Sequence, residues 1–322
     1  MKRRTAILAG IAAPTLLGTS HLALAQEYPT RAIRVVSPSP PGGGGDVSNR
    51  VITKHMADLL GQPVVVDNKV GGNGVVAAME ALRGGPDGYT IYAGSNTTLA
   101  AIPYLMKSTP YDPSTDFMPV ALQCTIPFIL VVNPDLPVKS VKDLIAYAKA
   151  QPGKVTYASA NASSLVAGSM LARVTGMELL NVPYKSAPAS MNDIVSGRVS
   201  MAFVDIPSSL GLIQAGKLRV VGISSAKRAA LMPQVPAIAE TVPGYELVGW
   251  TAMCLPAGTS PAIAKRLHDV INKVLVRPDV KDQLAKVGFD ATTMTLEEFA
   301  SFMRTERTRW ARMIRSAGIQ PE

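Results

Sequence analysis

Short apolar runs alternate with longer patterned stretches along the chain. Ile33 to Val36 precedes Val47 to Leu60, Val64 to Val66 precedes Asn73 to Leu82, and Thr90 to Ala93 precedes Thr97 to Met106. Brief apolar runs bounded by Gly, Pro and Asn read as buried strands, and the 3.6-residue spacing between them reads as helices. This rhythm predicts an α/β fold of mostly parallel sheet with helices on both faces. The middle third repeats it. Strands are expected at Phe128 to Val132, Thr156 to Ala158, Glu178 to Val182, Met201 to Val204 and Leu218 to Ile223, with helices at Val138 to Pro152, Leu165 to Thr175, Ser190 to Ser196 and Ser208 to Ala215.

Local chemistry sets several boundaries. Gly84-Gly85-Pro86-Asp87-Gly88 is a tight turn that delivers the strand Tyr89 to Ala93, and Ser140 with Asp143 three residues on is a capping-box-like helix start. Pro110 to Pro119, rich in proline and aspartate, marks a change of character before the second set of strands. The last third holds an extended run, Val248 to Leu255, and helices at Pro261 to Val276, Asp279 to Val287 and Leu296 to Arg315, with Pro261 and Pro278 at helix starts. Those helices are too few in strands to build a third sheet, so they are expected to return and cover the first lobe.

Met1-Lys2-Arg3-Arg4, the apolar run Ala6 to Leu17 and Ala23-Leu24-Ala25 form the three regions of an export signal, with cleavage after Ala25. The Arg3-Arg4 pair leaves general and twin-arginine export both open. The chain is therefore expected in the periplasm, and the 297 residues after Ala25 exceed one ordinary core, so two lobes are expected. Removing the three leader cations from a formal +9 leaves +6. The cations are spread thinly and aromatic residues are 5% of the chain, which argues against nucleic acid as a partner. No later apolar run approaches the ~20 residues needed to span a bilayer. Cys124 and Cys254 either form one disulfide or are two buried small hydrophobes. No Cys or His lies at metal-ligand spacing, so neither metal nor cofactor is expected, and His55 and His268 read as surface residues of helices.

The loop Pro38-Ser39-Pro40-Pro41-Gly42-Gly43-Gly44-Gly45-Asp46 follows the first strand and opens a helix, crowding backbone N–H groups at a helix N-terminus where anions bind. It lacks the Lys-Ser/Thr ending of a P-loop and does not spell G-x-G-x-x-G, so a nucleotide reading is poor. Asp46 is read as the helix N-cap. Gly94-Ser95-Asn96-Thr97-Thr98 and Ser159-Ala160-Asn161-Ala162-Ser163-Ser164 place hydroxyls and amides at two more strand ends, the edge where open α/β sheets hold ligands. Ser224-Ser225-Ala226-Lys227 matches S-x-x-K without its partner motifs, and no G-x-S-x-G elbow occurs, so no enzyme is expected. An exported hydrolase using Ser224 and Lys227 is the catalytic alternative.

Tyr28-Pro29, the glycine loop, Gly61-Gln62-Pro63-Val64-Val65-Val66-Asp67-Asn68, Pro86-Asp87-Gly88-Tyr89-Thr90, Pro110-Tyr111-Asp112-Pro113, Val131-Val132-Asn133-Pro134, Val182-Pro183-Tyr184-Lys185, Ala215-Gly216-Lys217-Leu218-Arg219 and Pro256-Ala257-Gly258-Thr259 occur in one order from Tyr28 to Ile319. This set resembles the substrate-binding receptors of tripartite tricarboxylate transporters, the Bug family. The resemblance implies a two-lobed, type II periplasmic-binding-protein clamshell, with residues 26–126 plus 250–322 as lobe one and 127–249 as lobe two. It also implies a monomer that holds a small carboxylate mostly by backbone amides and delivers it to membrane permease subunits, or, alternatively, reports the ligand to a signalling partner. The ligand residues it implies are Ser39, Gly43, Gly44, Gly45, Asp46, Ser95, Asn96 and Thr97 from one lobe and Ser159, Asn161, Ser163, Tyr184 and Asp205 from the other. Departures from the family pattern fall at the pocket: Ser39 where an aromatic residue is common, Ser186 where glycine is usual, and a shortened Asn161 to Val166 loop. The chain crossings near Ile126 to Ile129 and Glu246 to Thr251 are expected to hinge the lobes.

Overall fold

A computed structural model describes residues 28–322, so the expected leader and its cleavage site lie outside the described residues. In chain order the elements are β1 (Ile33–Ser37), α1 (Gly44–Leu60), β2 (Val64–Asn68), α2 (Val75–Arg83), β3 (Thr90–Ser95), β4 (Phe117–Pro127), β5 (Ile129–Val132), α3 (Val141–Ala150), β6 (Val155–Ser159), α4 (Ala162–Thr175) and β7 (Leu179–Pro183). They continue with α5 (Ala187–Val195), β8 (Met201–Val204), α6 (Ile206–Gln214), β9 (Arg219–Ile223), β10 (Val248–Pro256), α7 (Pro261–Leu275), α8 (Pro278–Ala285), β11 (Asp290–Ala291) and α9 (Leu296–Ser316).

Two sheets result, ordered β11-β4-β10-β3-β1-β2 and β7-β6-β8-β5-β9. In the first, β2, β1, β3 and β4 run one way while β10 and β11 oppose them; in the second only β5 is reversed. The two-lobed α/β clamshell is thus the architecture, with the reversed strands β10 and β5 next to the chain crossings. Alternation explains how each sheet is covered on both faces. Ile33, Val35 and Ile91 join Ile52 and Met56 of α1 and Leu267 and Ile271 of α7, whereas Val36 and Tyr92 join Ala77 and Ala81 of α2 and Phe299 and Trp310 of α9. The C-terminal helices do return to the first sheet, α7 and α9 both packing on β4. In the second lobe, α3 and α4 cover one face and α5 and α6 the other.

The chain crosses between sheets at two places, and one hydroxyl ties them together. Phe128 separates β4 from β5, and residues 224–247 lead from β9 to β10. Ser224 Oγ accepts from Phe128 N at 2.9 Å and donates to Leu247 O at 2.5 Å, while Ser224 N donates to Phe128 O and Leu247 N to Ser224 O. The Ser224 hydroxyl that an S-x-x-K reading would make a nucleophile is wholly buried in this junction.

Several sequence expectations change. The eleven-residue strand β4 was not expected, because Pro119 and Gln123 interrupt its alternation; Pro119 is accommodated at a ladder irregularity opposite Cys254. The expected helix Thr97 to Met106 is a π-helical turn at Thr97–Ala101 followed by a 3₁₀ turn at Ile102–Tyr104, which contains Pro103. His55 and His268 are buried rather than on the surface, since α1 and α7 pack on one another as well as on the sheet; His268 Nδ1 lies 2.8 Å from Val120 O. The cysteine alternatives resolve as two buried free thiols. Cys124 sits opposite Thr251 and Cys254 opposite Pro119 on neighbouring strands, and three residues of strand separate the two positions by ~10 Å, beyond disulfide reach.

Candidate functional site

Between the lobes lies a cleft of about 660 Å³, and its walls are largely helix N-termini and strand ends. On the first lobe, β1 ends at Ser37 and α1 begins at Gly44, with Gly43 as an N-cap that makes no side-chain bond. As first-turn residues, Gly44 and Gly45 have no helical carbonyl four residues back to bond, so their N–H groups turn outward to the cleft, where Gly44 meets Asp205 of the opposite lobe. A Cβ on Gly45 would overlap the Ser39 hydroxyl, so the helix start can lie this close to the loop only with glycine there. Ser39 itself is fixed by its backbone: Ser37 Oγ accepts from its N–H at 3.2 Å, and its carbonyl accepts from Asn68 Nδ2 at 2.9 Å.

Asp46 is not the N-cap. It is the third residue of α1 and turns back into the loop, accepting from Gly42 N at 3.0 Å, Asn68 Nδ2 at 2.9 Å and Arg50 Nε at 3.0 Å. Burial pushes its carboxyl up, but these three donors outweigh burial and hold it below the usual carboxylate range. It braces the loop from behind and does not line the cleft. The four consecutive glycines explain the shift: they let the helix start two residues before the first residue that offers a capping side chain.

The turn after β3 carries Asn96, which connects both lobes. Its Oδ1 accepts from Trp250 N at 3.1 Å, and its Nδ2 donates to Ser163 Oγ of α4 in the opposite lobe at 2.8 Å. Thr98 Oγ1 accepts from Ser95 N at 3.1 Å, and Tyr111 donates to the Thr98 carbonyl at 2.7 Å, so this turn is held from both ends. Trp250 is in turn anchored by Glu306 of α9, whose Oε2 accepts from Trp250 Nε1 at 2.7 Å and Trp310 Nε1 at 3.1 Å.

On the second lobe, Asn161 caps α4 in a reciprocal box with Ser164. Tyr184 N donates to Ser159 O at 2.7 Å and Tyr184 Oη to Asp193 Oδ2 at 2.5 Å, which fixes the start of the β7–α5 wall. Asp205 caps α6, accepting from Ser208 N at 2.9 Å and from the Ser208 hydroxyl. Burial pushes its carboxyl up, against the opposing pull of Ser208 and of the Gly44 N–H across the cleft.

The structure brings Ser39, Gly43, Gly44, Gly45, Ser95, Asn96 and Thr97 to one wall and Asn161, Ser163, Tyr184 and Asp205 to the other. Ser159 and Asp46 do not line the cleft: the Ser159 carbonyl accepts from Tyr184 N, and the Asp46 carboxylate is turned into its own loop. Sequence reasoning missed Gly71 to Gly74, Phe128, Pro188, Ser208 and Trp250 on the walls. The first had a signal: Gly71-Gly72-Asn73-Gly74 follows a strand as the other three loops do, and all four residues have positive φ. Among the described residues, Lys185 is the only cation on the walls and Asp205 the only acid, while Ile126, Phe128, Pro188 and Trp250 supply apolar surface. Such a site suits a small anion held by amides and hydroxyls more than by ion pairs.

Known proteins share this arrangement. The family model described as "Tripartite tricarboxylate transporter family receptor" matches residues 48–319. The protein BugT of Bordetella pertussis is 34% identical over 316 residues, covering 97% of this chain and 94% of BugT. Among solved structures, an R. palustris protein with adipate superposes with a TM-score of 0.88 at 31% identity, covering 92% of this chain and all of that one. MatC from Rhodopseudomonas palustris with bound malate gives 0.81 at 28%, covering 89% of this chain and all of MatC.

Proposed function

Because the chain belongs to the tripartite tricarboxylate transporter receptor family, we propose that it is a periplasmic receptor that captures a small carboxylate between its lobes and presents the closed form to membrane permease subunits. The observation that carries this reading is the cleft itself: glycine amides at the start of α1 stand opposite Asn161, Ser163 and Tyr184 across a gap, with Lys185 the only cation on its walls among the described residues. Donors from both lobes let one ligand bridge them and shift an open–closed equilibrium. Lobe one is residues 26–126 plus 250–322 and lobe two 127–249. The hinge lies at the Ser224 junction, where Phe128 and Leu247 cross side by side. Adipate and malate in the cited relatives support a carboxylate as the ligand class. Carboxylates, and not their neutral amides, are expected to raise the unfolding temperature.

A further inference from the structure

Among the described residues, Asp205 is the only acid on the wall of a cleft read as an anion site, and it is half-buried there. One oxygen is committed to capping α6 through Ser208. The carboxyl group also faces the first amide of α1 in the opposite lobe. A Cβ on Gly44 would stand 3.2 Å from Asp205 Cγ and 2.6 Å from the Phe289 ring, so only glycine lets Asp205 approach that helix start. The amide end that a ligand carboxylate would use is therefore already shared with a protein carboxylate. Two carboxylates meeting at one site with no cation between them repel, and the affinity for protons of one of them is raised.

No such cation is held there. Asp46 of α1 faces its own loop and is paired with Arg50. On the α5 side, Tyr184 donates to Asp193, which Arg198 pairs. At the start of β11, Asp290 adds another acid next in sequence to Phe289, exposed to solvent. Lys185 lies on the cleft wall, exposed, and makes no ion pair with Asp205. The remaining residues of α6, Ile206 to Gln214, carry no titratable side chain.

We propose that Asp205 takes up one proton from solvent as the acid ligand enters, so that the cleft holds its anion beside a neutral carboxyl group, and gives the proton back on release. The inference rests on the carboxylate reading above. A protonated Asp205 keeps one oxygen for the Ser208 cap and presents an O–H donor to the ligand or to the shared amide end. It is thus a positioning residue whose charge state sets affinity. Burial already moves its carboxyl in the required direction before any ligand arrives. With the folded value raised, binding strengthens as pH falls toward the ordinary carboxylate range, by at most tenfold per pH unit, and weakens above it.

The test is isothermal titration calorimetry of the purified protein with acetate, lactate, succinate, malate, adipate and benzoate. It is run between pH 6 and 8 in two buffers of different ionisation enthalpy. Uptake approaching one proton per bound acid is expected at the lower pH, together with tighter binding there. Asp205→Asn keeps the cap through its amide oxygen, and circular dichroism checks its fold; it should show no uptake and a flat pH profile. Binding without proton uptake, or uptake that persists in Asp205→Asn, overturns the proposal and leaves the carboxylate reading intact. Failure of every acid to bind removes both.

Discussion

Glu306 is the residue whose removal should reach furthest from where it stands. It is almost wholly buried on α9, and its Oε2 accepts from both tryptophans of the chain, Trp250 at 2.7 Å and Trp310 at 3.1 Å. Glu306→Ala leaves two buried indole donors without a partner, each costing about 1–3 kcal/mol, so the sum is about 2–6 kcal/mol. At about 2–4 °C per kcal/mol, a loss near the middle of that range lowers Tm by roughly 8–16 °C. Glu306→Gln keeps one acceptor oxygen and should cost roughly half as much. The consequence does not stop at the core. Trp250 N donates to Asn96, and Asn96 reaches Ser163 of the other lobe, so loosening the indole loosens the link across the cleft. Far-UV circular dichroism in urea measures the loss without depending on the altered tryptophans. An unchanged midpoint for Glu306→Ala, or a greater loss in Glu306→Gln, would refute this account of the anchor.

Two further outcomes follow from buried groups and close approaches. Burial pushes the Cys124 thiol up to about 11 and Cys254 up to about 12, so at pH 8 neither forms thiolate; a thiol reagent should label none in the native protein and two after denaturation, and rapid native labelling would contradict their burial. Gly45→Ala places a methyl group onto Ser39 while favouring the helix, so unfolding without ligand should change little; affinity for any acid that binds the native protein should fall more than about tenfold, or about 1.4 kcal/mol, and unchanged affinity would exclude this wall from the site.

Much of the fold is legible because buried strands and covering helices obey simple periods. Val35 and Val36, side by side, already point to two different cores. β4 escaped because prolines usually end strands, and only the strand β10, which lies more than a hundred residues on, shows that Pro119 sits at an irregularity. The glycine loop identified one wall, yet four glycines gave no means of locating the helix start, and Asp46 moved from cap to brace. Asp205 facing Gly44 and Asn96 reaching Ser163 were beyond sequence reasoning for a plainer reason. Both join the two lobes, and the facing of two lobes is set by their closure, not by local pattern.

The most direct measurement is thermal unfolding of the protein against small mono-, di- and tricarboxylates, with neutral amides as controls. An acid present at 100 times its dissociation constant stabilises the folded state by about 2.7 kcal/mol. A rise of several degrees confined to one class of acids is the predicted result, and it would name the ligand class. No rise with any acid, in protein shown to be free of bound ligand, would contradict the reading of the cleft as a carboxylate site.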